Sequence, residues 1–574
     1  MPSLAVLSFI PSLVAASWQI SNVAQLDSGL VIRGHESTWQ KGVSEYLGIP
    51  YAQPPVGPLR WRPAEPYKAS PGTPLVANKF SPDCPANVAG FSNATSLNSV
   101  KGVVLASLGQ YGDQYDEDCL SINVWTKPQD GGPVKAVLVW IYGGGFALGS
   151  TASPSYNGAR LAAQEDVVVV SMNYRLNIFG FPSAPGLLDQ NLGLLDQRLA
   201  IEWIRDNIVA FGGDPKRITL FGESAGGASV DMYSYAWVKD PIVNAFVPES
   251  GTASLGGSLG GNKTAGWYKA SQKLGCGGAE AGEKTVGCMR TKPWTEVLGS
   301  IKPQGSQASL GGMGDFGPTP DGKVVFDDYK ARAAAGNFIK RPMLVGNNAN
   351  EIALFMVILN QVSALGSPLL SMANGVFSCP SGAAAQARTN ARIKAYRYLY
   401  AGEWPNQDIA PKVGAWHGSE VGMVFGTVEY QQQFFGSMIG QKISFPNTDA
   451  QKVLEKKMMG AWAAFAKDPV SGLEKLGWPT YDERKPGTIV QLGGPNSGNI
   501  TFVDSAVIDK SCGTLNSMMG ASGGAGGLSG LSGLLGGLGK APGGSGLPTG
   551  TGGTAPPPIP APGSGTSKRG LVRK

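Results

Sequence analysis

The sequence predicts an α/β fold in which a mainly parallel sheet is covered by helices on both faces. Two observations carry this. Short apolar runs (Val134 to Ile141, Val167 to Met172, Ile218 to Phe221, Ala245 to Pro248, Met343 to Gly346) alternate with helix-patterned segments such as Leu194 to Ile204. One of these runs also passes straight into a Gly-rich turn and then a small-residue, helix-compatible stretch, the connection a strand makes to a crossover helix. Two domains would be the default for 574 residues, but the residues able to do chemistry are spread along the chain. One large domain with insertions fits better, and no internal repeat is found.

In chain order, residues 1–16 form an apolar stretch ending in small residues, too short to span a bilayer and read as a signal peptide. Next comes Val139-Trp-Ile-Tyr142-Gly-Gly-Gly-Phe146, an apolar strand opening into three glycines. Bare backbone N–H groups at such a concave turn suit an oxyanion, with Gly144, Gly145 and the N–H of Ala225 as donors. A phosphate loop is the rival reading, and no Gly-Lys-Ser/Thr follows to support it.

The run Ile218 to Phe221 feeds Gly222-Glu223-Ser224-Ala225-Gly226. This is a Gly-x-Ser-x-Gly nucleophile elbow in the context it requires. The glycines remove side chains where strand and helix nearly touch, and Ser224 is expected in a strained turn with its hydroxyl exposed. A serine hydroxyl needs a base, usually histidine. The chain contains only two, His35 and His417. His35 follows a short strand and reads as a turn residue; His417, in a Gly-flanked loop, is the expected base. The acid in such elbows falls between nucleophile and histidine in the chain. Glu351, in the loop after the run Met343 to Gly346, is expected there, because residues leaving a strand's C-terminal end point toward the site.

Six cysteines suit an oxidising compartment and allow fifteen pairings, among which spacing does not choose. Asn93, Asn262 and Asn499 each begin an Asn-x-Thr triplet and are glycosylation candidates. Two histidines and no His-Glu-x-x-His motif give no metal site. After Met518 the composition turns to Gly, Ser and Pro with scattered Leu and no acidic residue, so 519–574 is expected to be a disordered tail. Lys540, Lys568, Arg569, Arg573 and Lys574 lie in it, five of the net +6. The remaining body is nearly neutral, which argues against a nucleic-acid partner. The basic end could make weak contact with an acidic wall polymer or membrane, and it lacks the apolar terminus of a lipid-anchor signal.

With the elbow and the glycine loop, further stretches carry a resemblance: Tyr46-Leu-Gly-Ile-Pro-Tyr-Ala, Glu117-Asp-Cys-Leu-Ser-Ile-Asn-Val, Asn173-Tyr-Arg, Asn191-Leu-Gly-Leu-Leu-Asp-Gln-Arg, Phe211-Gly-Gly-Asp-Pro and Glu249-Ser-Gly. Over residues 17–518 the chain resembles the type-B carboxylesterase/lipase family of α/β-hydrolases. Phe377-Ser-Cys-Pro and His417-Gly-Ser-Glu are most similar to its fungal secreted lipase and esterase branch. The resemblance implies an α/β-hydrolase fold without cofactor, a triad of Ser224, Glu351 and His417, and supporting roles for Glu223 and Ser250. It implies the disulfides Cys84–Cys119, Cys276–Cys288 and Cys379–Cys512, the first closing a loop beside the active-site gorge. Ile352 departs from the pattern, since many members carry Gly after the acid.

The expected protein is a secreted serine hydrolase of small-molecule or lipid carboxylic esters. The alternatives are a catalytically silent adhesion or binding member of the fold, and an amidase using the same triad. No Trp occurs between Cys84 and Cys119, so the cation–π site of cholinesterase relatives is missing and neutral apolar esters are expected. Medium acyl chains are expected to be preferred over acetate.

Overall fold

The computed structural model describes residues 22–521, apart from 71, 87–98, 109, 129–131, 258–262, 302–315, 360, 366–371 and 439. The expected signal peptide, Phe91, Asn93, Leu97, Asn262 and the chain beyond 521 lie outside the described residues. The last described helix, Cys512–Ala521, continues past the change in composition at Met518.

The central sheet follows from the apolar runs. In chain order its strands are β1 (His35–Glu36), β2 (Ser44–Pro50), β3 (Ser121–Thr126), β4 (Lys135–Ile141), β5 (Val168–Met172), β6 (Gly213–Glu223), β7 (Ala245–Glu249), β8 (Met343–Asn348), β9 (Ala395–Tyr400), β10 (Ile489–Leu492) and β11 (Ile500–Val503). Their spatial order is β1-β2-β3-β5-β4-β6-β7-β8-β9-β10-β11. The run from β5 to β10 is parallel throughout; β1, β2, β3 and β11 pair antiparallel at the two edges. Helices cover both faces. Every residue of β4, β5, β7, β8 and β9 is buried, as continuous apolar runs in a doubly covered parallel sheet require. Among the described residues no helix is long and apolar enough to cross a membrane.

The strand leading to the elbow is longer than the apolar run predicts, starting at Gly213 and not Ile218. Its first five residues, Gly213 to Arg217, are mostly partly exposed and polar, so no hydrophobic signal marks them. The helix Leu192–Asn207 likewise exceeds the predicted segment at both ends.

Buried ion pairs explain several of the quoted stretches. Arg175 grips Asp196 through Nε and Nη2, both at 2.7 Å, tying Asn173-Tyr-Arg to the helix Leu192–Asn207. Arg60 holds Glu117, beside Cys119, through Nε at 2.6 Å and Nη2 at 2.5 Å. Both pairs are bidentate, so they fix orientation as well as distance. The disulfides are Cys84–Cys119, Cys276–Cys288 and Cys379–Cys512.

Candidate active site

At the C-terminal end of β6 the chain reverses into the helix Ala225–Ala236, and Ser224 is the corner. Its φ of 57° and ψ of −119° lie where a non-glycine residue is strained, and its N–H donates to Glu249 O at 2.8 Å, pinning the corner to β7. The flanking glycines are demanded by contact. A Cβ on Gly226 would lie 1.9 Å from Ile141 O, and one on Gly222 would lie 2.5 Å from the same atom. Strand β4 therefore touches the elbow backbone directly.

The end of β4 is the glycine turn. Gly144 and Gly145 have φ of +102° and +63°, and a Cβ on Gly143 would lie 2.9 Å from the Ser224 Cβ. The carbonyl of Gly144 is occupied, accepting from Ala147 N at 3.0 Å and Leu148 N at 3.1 Å. The N–H groups of Gly144, Gly145 and Ala225 have no acceptor among the described residues. Gly143, Gly144, Gly145, Gly149, Ser224 and His417 line one cavity of about 70 Å³, with Leu108, Leu148, Tyr156, Leu354, Phe355 and Val421 among the other walls.

Glu351 is fully buried in the turn between β8 and the helix Ile352–Ile358. One oxygen, Oε1, accepts from Ser250 Oγ at 2.7 Å and from Asn348 N at 2.6 Å. This leaves Oε2 to accept from His417 Nδ1 at 2.5 Å. The histidine loop is laced to the acid loop by Asn350 N to Ala415 O at 2.9 Å and Asn348 Nδ2 to Trp416 O at 2.7 Å. Phe377 and Phe355 pack on the imidazole with ring centroids 4.7 and 5.2 Å away. Nε2 of His417 lies 3.1 Å from Glu223 Oε1, without the alignment of a hydrogen bond. Ser224 and His417 line the same cavity, and Nε2 has no hydrogen-bond partner among the described residues, as is common in free enzymes. Ile352, the departure after the acid, is fully buried, and its N–H donates to Asn374 Oδ1 at 3.1 Å. His35 is apart from all this, on edge strand β1 with Nδ1 donating to Glu36 O at 2.8 Å.

Two carboxylates join this group that the sequence reasoning quoted in motifs without giving them a role. Glu420, three residues after His417, is fully buried and accepts from Asn348 Nδ2. Glu249, the residue before Ser250, is fully buried and accepts from Trp462 Nε1 at 2.7 Å. Burial pushes Glu420 up to about 8, with the charges of Glu223 and Glu351 adding. It pushes Glu223 up to about 7, against the pull of His417, and holds Glu249 well above the carboxylate range. For His417 burial opposes the charged form. The carboxylates of Glu223 and Glu351, with Glu420 behind them, outweigh it and push the imidazole up to about 9. No group of three or more His, Cys, Asp or Glu arranged to hold a metal occurs among the described residues.

Asn499, exposed beside β11, is the glycosylation candidate within the described residues. The chain matches the carboxylesterase family over residues 21–374 and 367–501. It is 34% identical over 508 residues to secreted lipase 5 of Gibberella zeae, covering 82% of this chain and 90% of that one. It is 33% identical over 459 residues to the chlorogenic acid esterase of Aspergillus niger, covering 79% and 84%. Acetylcholinesterase of Bungarus fasciatus is 30% identical over 517 residues, covering 77% and 78%. A match of this extent, on an α/β-hydrolase sheet bearing a serine at a strained elbow, places the chain in the carboxylesterase family as a serine hydrolase of carboxylic esters.

Proposed function

We propose that the enzyme hydrolyses neutral, apolar carboxylic esters through Ser224, His417 and Glu351. The observation that carries this is the shared cavity. It joins a strained serine, a histidine whose Nδ1 is already held by a buried carboxylate, and a glycine turn with unengaged N–H groups. Ser224 Oγ attacks the ester carbonyl carbon while His417 Nε2 takes its proton. Gly144, Gly145 and Ala225 N–H groups stabilise the oxyanion, in a site where fixed donors need no reorganisation. As the tetrahedral adduct collapses, His417 gives the proton to the departing alkoxide oxygen, leaving the acyl group on Ser224. Water then enters and attacks the acyl carbon as His417 takes its proton; the second tetrahedral adduct collapses by breaking the bond to Ser224 Oγ, which takes that proton back from His417, and the acid leaves. The Ser250 hydroxyl and the Asn348 backbone N–H both donate to Glu351 Oε1, aiming Oε2 at Nδ1 and so selecting the tautomer that leaves Nε2 able to accept.

The lining supports the substrate class. Leu108, Leu148, Leu354, Phe355 and Val421 offer aliphatic and aromatic surface, and no tryptophan lines the cavity among the described residues. The expected selectivity is for uncharged esters, with medium acyl chains ahead of acetate. We further propose that the hydrolase body spans residues 17–518 and is secreted, like the secreted lipase it is similar to, and that Asn499 is glycosylated. The basic tail would make no more than weak surface contacts. Hydrolysis of chromogenic esters of graded acyl length, run beside an anilide, tests the reading. Rapid anilide cleavage with slow ester cleavage would replace it with the amidase alternative, and no turnover of either with the silent one.

A further inference from the structure

Gln110 follows the helix Val100–Leu108, whose last residue reaches the catalytic cavity. It is buried, with φ of +56°. Its side-chain amide bridges two segments: Nε2 donates to Asp83 Oδ2 at 2.6 Å, and Oε1 accepts from Gly149 N at 2.8 Å. The second Asp83 oxygen, Oδ1, accepts from the Ser150 hydroxyl. Asp113 faces Asp83 closely enough for each carboxyl to shift the other's proton affinity. The backbone closes the cluster, with Asp83 N to Gln114 O at 2.7 Å and Asp116 N to Asp83 O at 3.0 Å. Both legs of the Cys84–Cys119 loop thus meet at Asp83.

We infer that Asp83, Gln110 and Asp113 are positioning residues for the oxyanion turn, holding Gly149 so that Gly144 and Gly145 present their N–H groups to the developing oxyanion. This rests on reading Gly144 and Gly145 as the oxyanion donors. Contact transmits the position. Gly149 has φ of +115°, and a Cβ there would lie 2.5 Å from the Tyr142 ring and 2.6 Å from Gly143 O. A Cβ on Gly144 would lie 2.2 Å from Leu148 O. The backbone of 148–149 is therefore pressed against that of 143–144, and neither moves alone. Removing the Gln110 amide leaves the buried Gly149 N–H without its acceptor, and the turn relaxes to recover one.

Asp113 makes the clamp conditional. Two carboxyls that face each other do not both ionise at low cost, so a proton on one relieves the other. Burial first, then the Asp113 charge, push Asp83 up to about 9, against the donors Ser150 and Gln110. The other titratable groups facing it are Tyr115, from the same leg as Asp113, and Tyr142 at the end of β4. Both tyrosines are raised by burial and stay neutral in this range. The clamp keeps its proton through the neutral range and loses it above about 9, where two negative charges face each other beside Gln110.

The test uses the full chain and the variants Gln110→Ala, Asp113→Ala and Asp113→Asn. The measurements are kcat and KM on a neutral short-chain ester, inhibition by a trifluoromethyl ketone of similar shape, and the rate of fluorophosphonate labelling at Ser224. Gln110→Ala is expected to lower kcat by about 10- to 100-fold, up to the loss of one oxyanion donor, with KM within about twofold. Affinity for the ketone, which forms an oxyanion on the enzyme, should fall by the same factor. Asp113→Ala should lose turnover likewise. Asp113→Asn supplies an N–H in place of the shared proton, so it should restore that turnover and abolish the wild-type loss of kcat above about pH 9. Unchanged kcat and ketone affinity in Gln110→Ala would overturn the inference, as would an unaltered alkaline loss in Asp113→Asn. The Asp113 variants decide the matter if Gln110→Ala shows no cooperative melting transition. Wild type unlabelled at Ser224 overturns the site reading and this inference with it; labelled wild type with unaffected variants overturns this inference alone.

Discussion

The Ser224 corner and the His417 corner of the site are built by different physics. Ser224 is placed by backbone. Its position follows from β6, the pin to Glu249 O, and glycines that let β4 touch the elbow. His417 is placed and charged by side chains. Glu351 orients it, Phe355 and Phe377 pack on it, and Glu223 and Glu420 raise its proton affinity. The difference separates two properties of a serine hydrolase. Under the proposed triad, backbone geometry fixes where the nucleophile stands, and a buried carboxylate group sets the pH at which it becomes active.

Breaking either corner outright has the largest effect. Ser224→Ala and His417→Ala should each reduce turnover by roughly 10⁶-fold, and the double variant should be little worse, because the residues act as a unit. Steady-state kinetics on a chromogenic ester checks this. Glu351→Gln keeps the shape but favours the wrong imidazole tautomer, and kcat should fall by about 10⁴-fold with KM little changed.

The backbone corner is probed by stability. Gly226→Ala would drive a Cβ to 1.9 Å from Ile141 O. Such overpacking against a rigid strand should destabilise the fold by about 3 kcal/mol, read as a lowered denaturation midpoint. The same change at Gly513, where a Cβ meets nothing within 4 Å, should leave the midpoint unmoved.

The side-chain corner is probed by pH. His417 is raised from 6.5 to about 9 in the fold. Its contribution to stability is therefore complete below pH 6.5 and is lost as pH rises through about 9. Activity has the opposite sign, because the base must be neutral: kcat/KM rises with pH, and its acid limb lies above the pH 6.5 of an ordinary histidine. Glu223→Gln removes the largest of the raising charges, and the limb should move back toward 6.5. A limb unmoved by Glu223→Gln would mean that the carboxylates do not set the imidazole. The smallest expected effect concerns the alcohol: butyrylcholine should be turned over no faster than an uncharged butyrate ester of similar size.

These two corners also differ in how far they could be read from the chain. Gly222, Ser224 and Gly226 form a contiguous signal, and His417 stood out because the only other histidine is His35. Glu351 needed the strand before it. Glu420 and Glu249 lay in plain view within His417-Gly-Ser-Glu and Glu249-Ser-Gly, yet their meeting depends on β7, β8 and the histidine loop converging. Asp83, Gln110 and Asp113 carry no local pattern, since their contact is made by the closure of a disulfide loop onto Gly149. The start of β6 at Gly213 was hidden because its first residues are polar and partly exposed, and a hydrophobic period records only buried faces.

The most direct test of both corners is the pH dependence of fluorophosphonate labelling, followed by peptide mass analysis. One phosphonyl adduct, on Ser224, is the expected result, forming at a rate that climbs with pH through a midpoint above 6.5. An adduct on another residue, or a midpoint at or below 6.5, would contradict it.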